Sequence, residues 1–117
     1  MLQKTQRMGV MPSRGAWLYI LNGRQVGRDY RLDAKTTVGR DAIECDVILS
    51  DSKLSACHAR ILKEGEEFIL YDLASKNGTF VNGNRVQRQI LTDDDIIMVG
   101  TTKIVFKVTP KLSPDLA

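Results

Sequence analysis

An all-β sandwich of roughly ten to eleven short, mostly antiparallel strands is what three features of this 117-residue chain predict. Short runs rich in aromatic and β-branched residues recur from one end to the other. Gly, Asn and Asp punctuate those runs where the chain must reverse. No window holds the i, i+3, i+4, i+7 apolar period of a helix for three turns.

The strands are read in order. Ala16 to Leu21 ends at Asn22-Gly23, a hairpin signal. Gln25 to Leu32, Thr36 to Val38 and Val47-Ile48-Leu49 follow. Ala59 to Lys63 stops at Glu64-Gly65, and Glu67 to Leu73 runs into the pair Asn77-Gly78. Thr79-Phe80-Val81 is a very short strand closed by Asn82-Gly83, with Arg85-Val86 beyond. Asp95 to Val99 ends at Gly100-Thr101, and Lys103 to Val108 places Ile104, Phe106 and Val108 on one face. Residues 1–14 read as a flexible basic arm and 110–117, with Pro110 and Pro114, as a tail or the start of a linker. That leaves 15–109 as one domain, long enough to bury a single core.

Composition narrows the function classes. A 43% hydrophobic and 26% charged content is that of a soluble globular domain, and no apolar run approaches a membrane span. The N-terminus lacks the apolar core of a signal peptide, so the expected compartment is cytoplasmic, with Cys45 and Cys57 as free thiols. The net charge of +3 suggests nucleic acid until its location is considered. Setting aside Lys4, Arg7 and Arg14 at one end and the Lys111/Asp115 pair at the other leaves residues 15–108 with thirteen charges of each sign. A duplex binder carries its basic face on the folded part, so the charge argues against nucleic acid.

The stretch Asp72 to Gly83, D-L-A-S-K-N-G-T-F-V-N-G, organises the rest. Two Asn-Gly pairs within so few residues make a stiff surface loop rather than core. Its S-K-N-G-T-F-V-N-G resembles the signature of forkhead-associated (FHA) domains, which bind phosphothreonine peptides through loops at one end of a β-sandwich. Val38-Gly39-Arg40, Asp51 to Ala59 with Ser55-x-x-His58-Ala59, and Leu91 to Gly100 match in the same order. Together they cover about residues 16 to 108.

The resemblance implies roles that phosphate chemistry can be set against. A phosphate monoester brings nearly two negative charges and three strong acceptors, and needs cations, hydroxyls and backbone N–H groups on stiff loops. Arg40 and Ser55 are by resemblance the phosphate contacts, with Lys76 as a mobile additional cation. Asn77 corresponds to the asparagine that clamps the peptide backbone, its amide offering donor and acceptor together. An αL-adapted turn residue is the plainer reading of Asn77, and the two are compatible. Lys53 lies where family members can meet the third residue after phosphothreonine. His58 is expected to be structural, holding its loop by hydrogen bonds. Gly39, Gly78, Thr79, Asn82 and Gly83 are assigned to loop structure.

One departure stands out. The family usually carries Arg, less often Asn, directly after this serine, where the chain has Ala56. A phosphate ligand is missing there. The reading is therefore a threonine-phosphorylated protein segment as partner, in a Ser/Thr kinase pathway, with a degenerate, phosphate-independent FHA scaffold as the alternative. Thr5 adds an intramolecular option, because some small FHA proteins bind their own phosphorylated N-terminal threonine. No cofactor, metal or catalytic residue is expected. Cys57 and His58, adjacent on an extended chain, point apart, and no third group orients them. The Asn77-Gly78-Thr79 sequon is set aside because the N-terminus shows no secretory signal to bring it to a glycosyltransferase, and the P-loop-like spacing Gly78 to Gly83 and the triplet Asp93-Asp94-Asp95 lack the partner residues their chemistry requires.

Overall fold

The computed structural model describes residues 15–109. The expected basic arm (1–14, with Thr5) and tail (110–117) lie outside the described residues. Eleven strands make the fold: β1 Ala16–Ile20, β2 Asp29–Arg31, β3 Lys35–Gly39, β4 Val47–Ile48, β5 Ala59–Glu64, β6 Glu67–Asp72, β7 Thr79–Val81, β8 Asn84–Val86, β9 Arg88–Ile90, β10 Ile96–Val99 and β11 Thr102–Val108. They pair into a six-stranded sheet ordered β2-β1-β11-β10-β7-β8 and a five-stranded sheet ordered β4-β3-β5-β6-β9. Only β3–β4 is parallel, so the predicted all-β, mostly antiparallel sandwich is what forms.

Alternation sets the register. In β1, Ala16, Leu18 and Ile20 are buried while Trp17 and Tyr19 face out, and β11 answers with Ile104 and Phe106 inward. The pairs Leu18↔Phe106 and Ile20↔Ile104 put like faces together, since a one-residue slip would turn every one of these side chains into water. Val38, Val47, Ile61, Phe68 and Leu70 fill the core from the other sheet. Phe68 meets Phe106 across the sandwich, ring centroids 5.7 Å apart and tilted by 59°.

Three local expectations are revised. Gln25 to Leu32 is not one strand: residues 24–27 form a turn, with Gly27 at φ 88° and its N–H donating to Ile20 O, so only Asp29–Arg31 pairs. Asn22-Gly23 is accordingly not a two-residue hairpin. Asn22 instead ties this loop to the β10–β11 turn, donating to Thr101 O at 3.1 Å and accepting from Lys103 N–H at 2.7 Å. The edge strand β9 carries no apolar alternation (Arg88 and Ile90 are both exposed) and had no signal to find.

The central stretch behaves as two different turns. Asn82-Gly83 closes β7 onto β8 with both residues at positive φ, 51° and 85°, the backbone of a two-residue hairpin. At the other pair only Gly78 is left-handed, at φ 90°, and Asn77 is not. The left-handed non-glycine residue before it is Ala74, at φ 54°. This corrects the turn reading of Asn77: its side chain, not its backbone freedom, is what the position uses.

Candidate functional site

Three loops meet at one end of the sandwich: β3–β4, β4–β5 and β6–β7. They enclose an open cleft of about 580 Å³ lined by Arg40, Ser52, Lys53, Leu54, Ser55, Ala56, Lys76 and Asn77. All five residues expected to touch a ligand (Arg40, Lys53, Ser55, Lys76 and Asn77) are in that lining.

Arg40 leaves the end of β3 where the backbone is pinned to the neighbouring loop. The Ala56 carbonyl accepts the N–H of Arg40 at 3.0 Å, the N–H of Asp41 at 3.1 Å and the Cys45 thiol at 3.0 Å. Such an approach requires glycine at 39, because a Cβ there would run into the Ala56 carbonyl oxygen. Beyond Arg40, the Asp41 carboxylate accepts from the N–H groups of Ile43 at 2.8 Å and Glu44 at 3.3 Å, stiffening the β3–β4 loop. Among the described residues no carboxylate pairs with the exposed Arg40.

His58 fastens the second loop to the third. It is fully buried. Its Nδ1 accepts the Ser55 N–H at 3.1 Å, which leaves Nε2 to donate to the Gly78 carbonyl at 2.8 Å. Above it the Ser55 hydroxyl oxygen accepts the Lys76 N–H at 3.0 Å, so the hydroxyl proton is left to donate elsewhere. Asn77 donates from Nδ2 to the Lys53 carbonyl at 2.7 Å, linking the same two loops at the cleft's edge.

Two carboxylates that sequence reasoning passed over hold these loops in shape. Asp72, at the end of β6, accepts from the Ser75 hydroxyl at 2.5 Å, the Ser75 N–H at 3.0 Å and the Thr79 hydroxyl at 2.6 Å. Ser75 in turn accepts the Gly78 N–H at 2.9 Å. Asp51 accepts from the Lys53 N–H at 2.9 Å and from two hydroxyls, Thr101 of the β10–β11 turn at 3.0 Å and Thr102 at the start of β11 at 2.7 Å. The signals were present: Asp72-x-x-Ser75 and Asp51-x-Lys53 are spacings at which a carboxylate caps the N–H groups just after it. Asn82, assigned to loop structure, bridges to Asp95 at 2.9 Å and accepts the Ile96 N–H at 2.9 Å.

Burial alone would raise both carboxyls, but the donated hydrogen bonds outweigh it. Asp72 is held below the usual range by Ser75 and Thr79, Asp51 by Thr102, Lys53 and Thr101. A depressed folded pKa contributes stability that is present above the unfolded value, about 3.9 for Asp, and is lost as pH falls through the folded one. Thermal melts are therefore expected to fall steeply below about pH 4, and less steeply in Asp72→Asn, which starts lower at neutral pH.

The sequence model of the FHA domain matches residues 36–100, the span from β3 to the β10–β11 turn that contains the whole cleft. The chain belongs to the FHA family. Of its relatives, the glycogen accumulation regulator GarA of Mycolicibacterium smegmatis is 35% identical over 101 residues, covering 86% of this chain and 64% of that protein. The oxoglutarate dehydrogenase inhibitor of Corynebacterium efficiens is 33% identical over 100 residues, covering 86% of this chain and 70% of the relative. Among solved structures, an FHA domain studied for its phosphothreonine-dependent interactions superposes with a TM-score of 0.76 at 33% identity, covering 82% of this chain and 98% of that one. The chain thus spans just under two thirds of the first of these regulators. In this FHA domain Ala56 stands exposed on the cleft wall beside Ser55 and presents only a methyl group.

Proposed function

We propose that this FHA domain captures threonine-phosphorylated segments of partner proteins, as a signalling or assembly adaptor that performs no chemistry on them. One observation carries the reading: a guanidinium, a hydroxyl with an uncommitted proton and an ammonium-bearing loop converge on one open cleft from separately fastened loops. Arg40 would take two phosphate oxygens as a planar fork, Ser55 would donate to a third, and Lys76 would add charge without geometry. Asn77, its Nδ2 committed to Lys53 O, would accept a backbone N–H of the extended ligand through Oδ1. The phosphate mark would come from a Ser/Thr kinase pathway in the cytoplasm. Among the described residues no helix is long and apolar enough to cross a membrane.

A phosphothreonine peptide library, with unphosphorylated and phosphoserine copies, tests this. Lys53 on the cleft wall should enrich Asp or Glu at the third residue after phosphothreonine. Lys53→Glu should turn that preference toward Lys or Arg by repulsion as well as lost attraction. An unchanged profile would place Lys53 outside the recognition surface.

Ala56 favours a second reading, a scaffold that binds without phosphate. The two separate on a gain of function. A hydrogen bond to a charged group contributes about 1.5–3 kcal/mol, so Ala56→Arg should tighten phosphopeptide binding roughly ten- to a hundredfold. Most of the gain should appear in the off-rate, and added salt should erode it. If both proteins bind plain and phosphorylated peptide alike, the scaffold reading holds.

A further inference from the structure

The two cysteines lie on the β3–β4 and β4–β5 loops, close in the chain to Arg40 and Ser55, and neither belongs to the cleft lining. Cys45 is buried and Cys57 half-buried, and both are free of any disulfide. The Cys45 Sγ donates to the Ala56 carbonyl oxygen at 3.0 Å, and that carbonyl belongs to the peptide bond that leads into Cys57. Gly39 closes the space from below: a Cβ there would approach the Cys45 sulfur to 2.7 Å. Burial first, then the Cys57 thiol beside it, push the Cys45 thiol up to about 11.

We propose that Cys45 and Cys57 are a peroxide-oxidisable thiol pair whose disulfide ties the β3–β4 loop to the β4–β5 loop and weakens capture of the phosphorylated segment. The oxidant is a hydroperoxide, and the order of events follows from access. Cys57, the more exposed sulfur, meets the peroxide: its S–H becomes S–OH, and the peroxide departs as water or an alcohol. The Cys45 sulfur then attacks the Cys57 sulfur, and the Cys45 proton leaves with the hydroxyl as water. The raised Cys45 thiol keeps its thiolate fraction small, so the closing step relies on proximity to the sulfenic acid.

The consequence for binding comes through Ala56. Its carbonyl accepts from Arg40 N–H, Asp41 N–H and the Cys45 thiol, and a disulfide removes that last donor. The peptide unit that anchors Arg40, just past Ser55 in the chain, then loses one of its three donors while a covalent tether pulls on Cys57. The second half of this proposal rests on the phosphopeptide reading above; the cross-link itself does not.

The test treats the whole chain with hydrogen peroxide and reads two signals. Denaturing mass spectrometry should show a monomer lighter by two hydrogens, with neither thiol open to alkylation, and dithiothreitol should reverse both. Cys45→Ser should stop at a dimedone-trapped sulfenic acid on Cys57. Fluorescence anisotropy with a phosphothreonine peptide should show oxidised chain binding about tenfold more weakly, the loss expected when one anchoring hydrogen bond is removed. Reduction should restore it. Two alkylatable thiols after peroxide, or a covalent dimer, would overturn the pair, and a cross-linked monomer of unchanged affinity would overturn its effect on binding. Should the reduced chain ignore phosphopeptide altogether, the phosphopeptide reading fails while the mass spectrum still decides the pair.

Discussion

Arg40→Ala is expected to abolish phosphopeptide binding and leave the fold untouched. The guanidinium is exposed on the cleft wall, and among the described residues it makes no ion pair. Its removal therefore costs little stability. Two charge-assisted hydrogen bonds to phosphate would go with it, at about 1.5–3 kcal/mol each, so affinity should fall by at least about a hundredfold. Arg40→Lys should recover only part of this, since an ammonium cannot form the bidentate fork. Titration by anisotropy beside a thermal melt measures both effects. A variant that melts like wild type and still binds at wild-type affinity would remove the phosphate's central contact.

The second large effect falls on stability instead. His58→Ala leaves the Ser55 N–H and the Gly78 carbonyl without their partner, and opens a cavity where a fully buried ring stood. Leaving one buried and one part-buried group unsatisfied, beside a cavity, costs about 3 kcal/mol. For a domain of this size that lowers the melting temperature by on the order of 10–20 °C. At a temperature where the variant is folded, binding should weaken only as far as the loops loosen. A melt unchanged while binding vanishes would make His58 a direct ligand.

How much of this was legible in the chain differs between fold and site for physical reasons. Lys103 to Val108 alternates because one of its faces is buried, and Asn82-Gly83 announces a hairpin because both residues enter φ > 0 cheaply. Arg88–Ile90 hides because an exposed edge strand needs no alternation. Ala74 gives no sign of its left-handed backbone, which neighbouring contacts impose on a residue that does not favour it. At the site, Arg40, Lys53, Ser55, Lys76 and Asn77 are legible from the motif, and they lie in the cleft lining. The groups that hold them there are not legible from it. Asp51 acts on Thr101 and Thr102, and Cys45 on Ala56, across separations that only the folded sheet closes. Asp72 was within reach of local reasoning, since Ser75 lies three residues on, but it was overshadowed by the asparagines that follow.

The most direct measurement of the central claim is a calorimetric titration of this chain with a phosphothreonine peptide bearing an acidic third residue, run beside its unphosphorylated twin. Saturable binding of the phosphorylated peptide alone, lost in Arg40→Ala, is the predicted result. Equal binding of both peptides, or of neither, would contradict it.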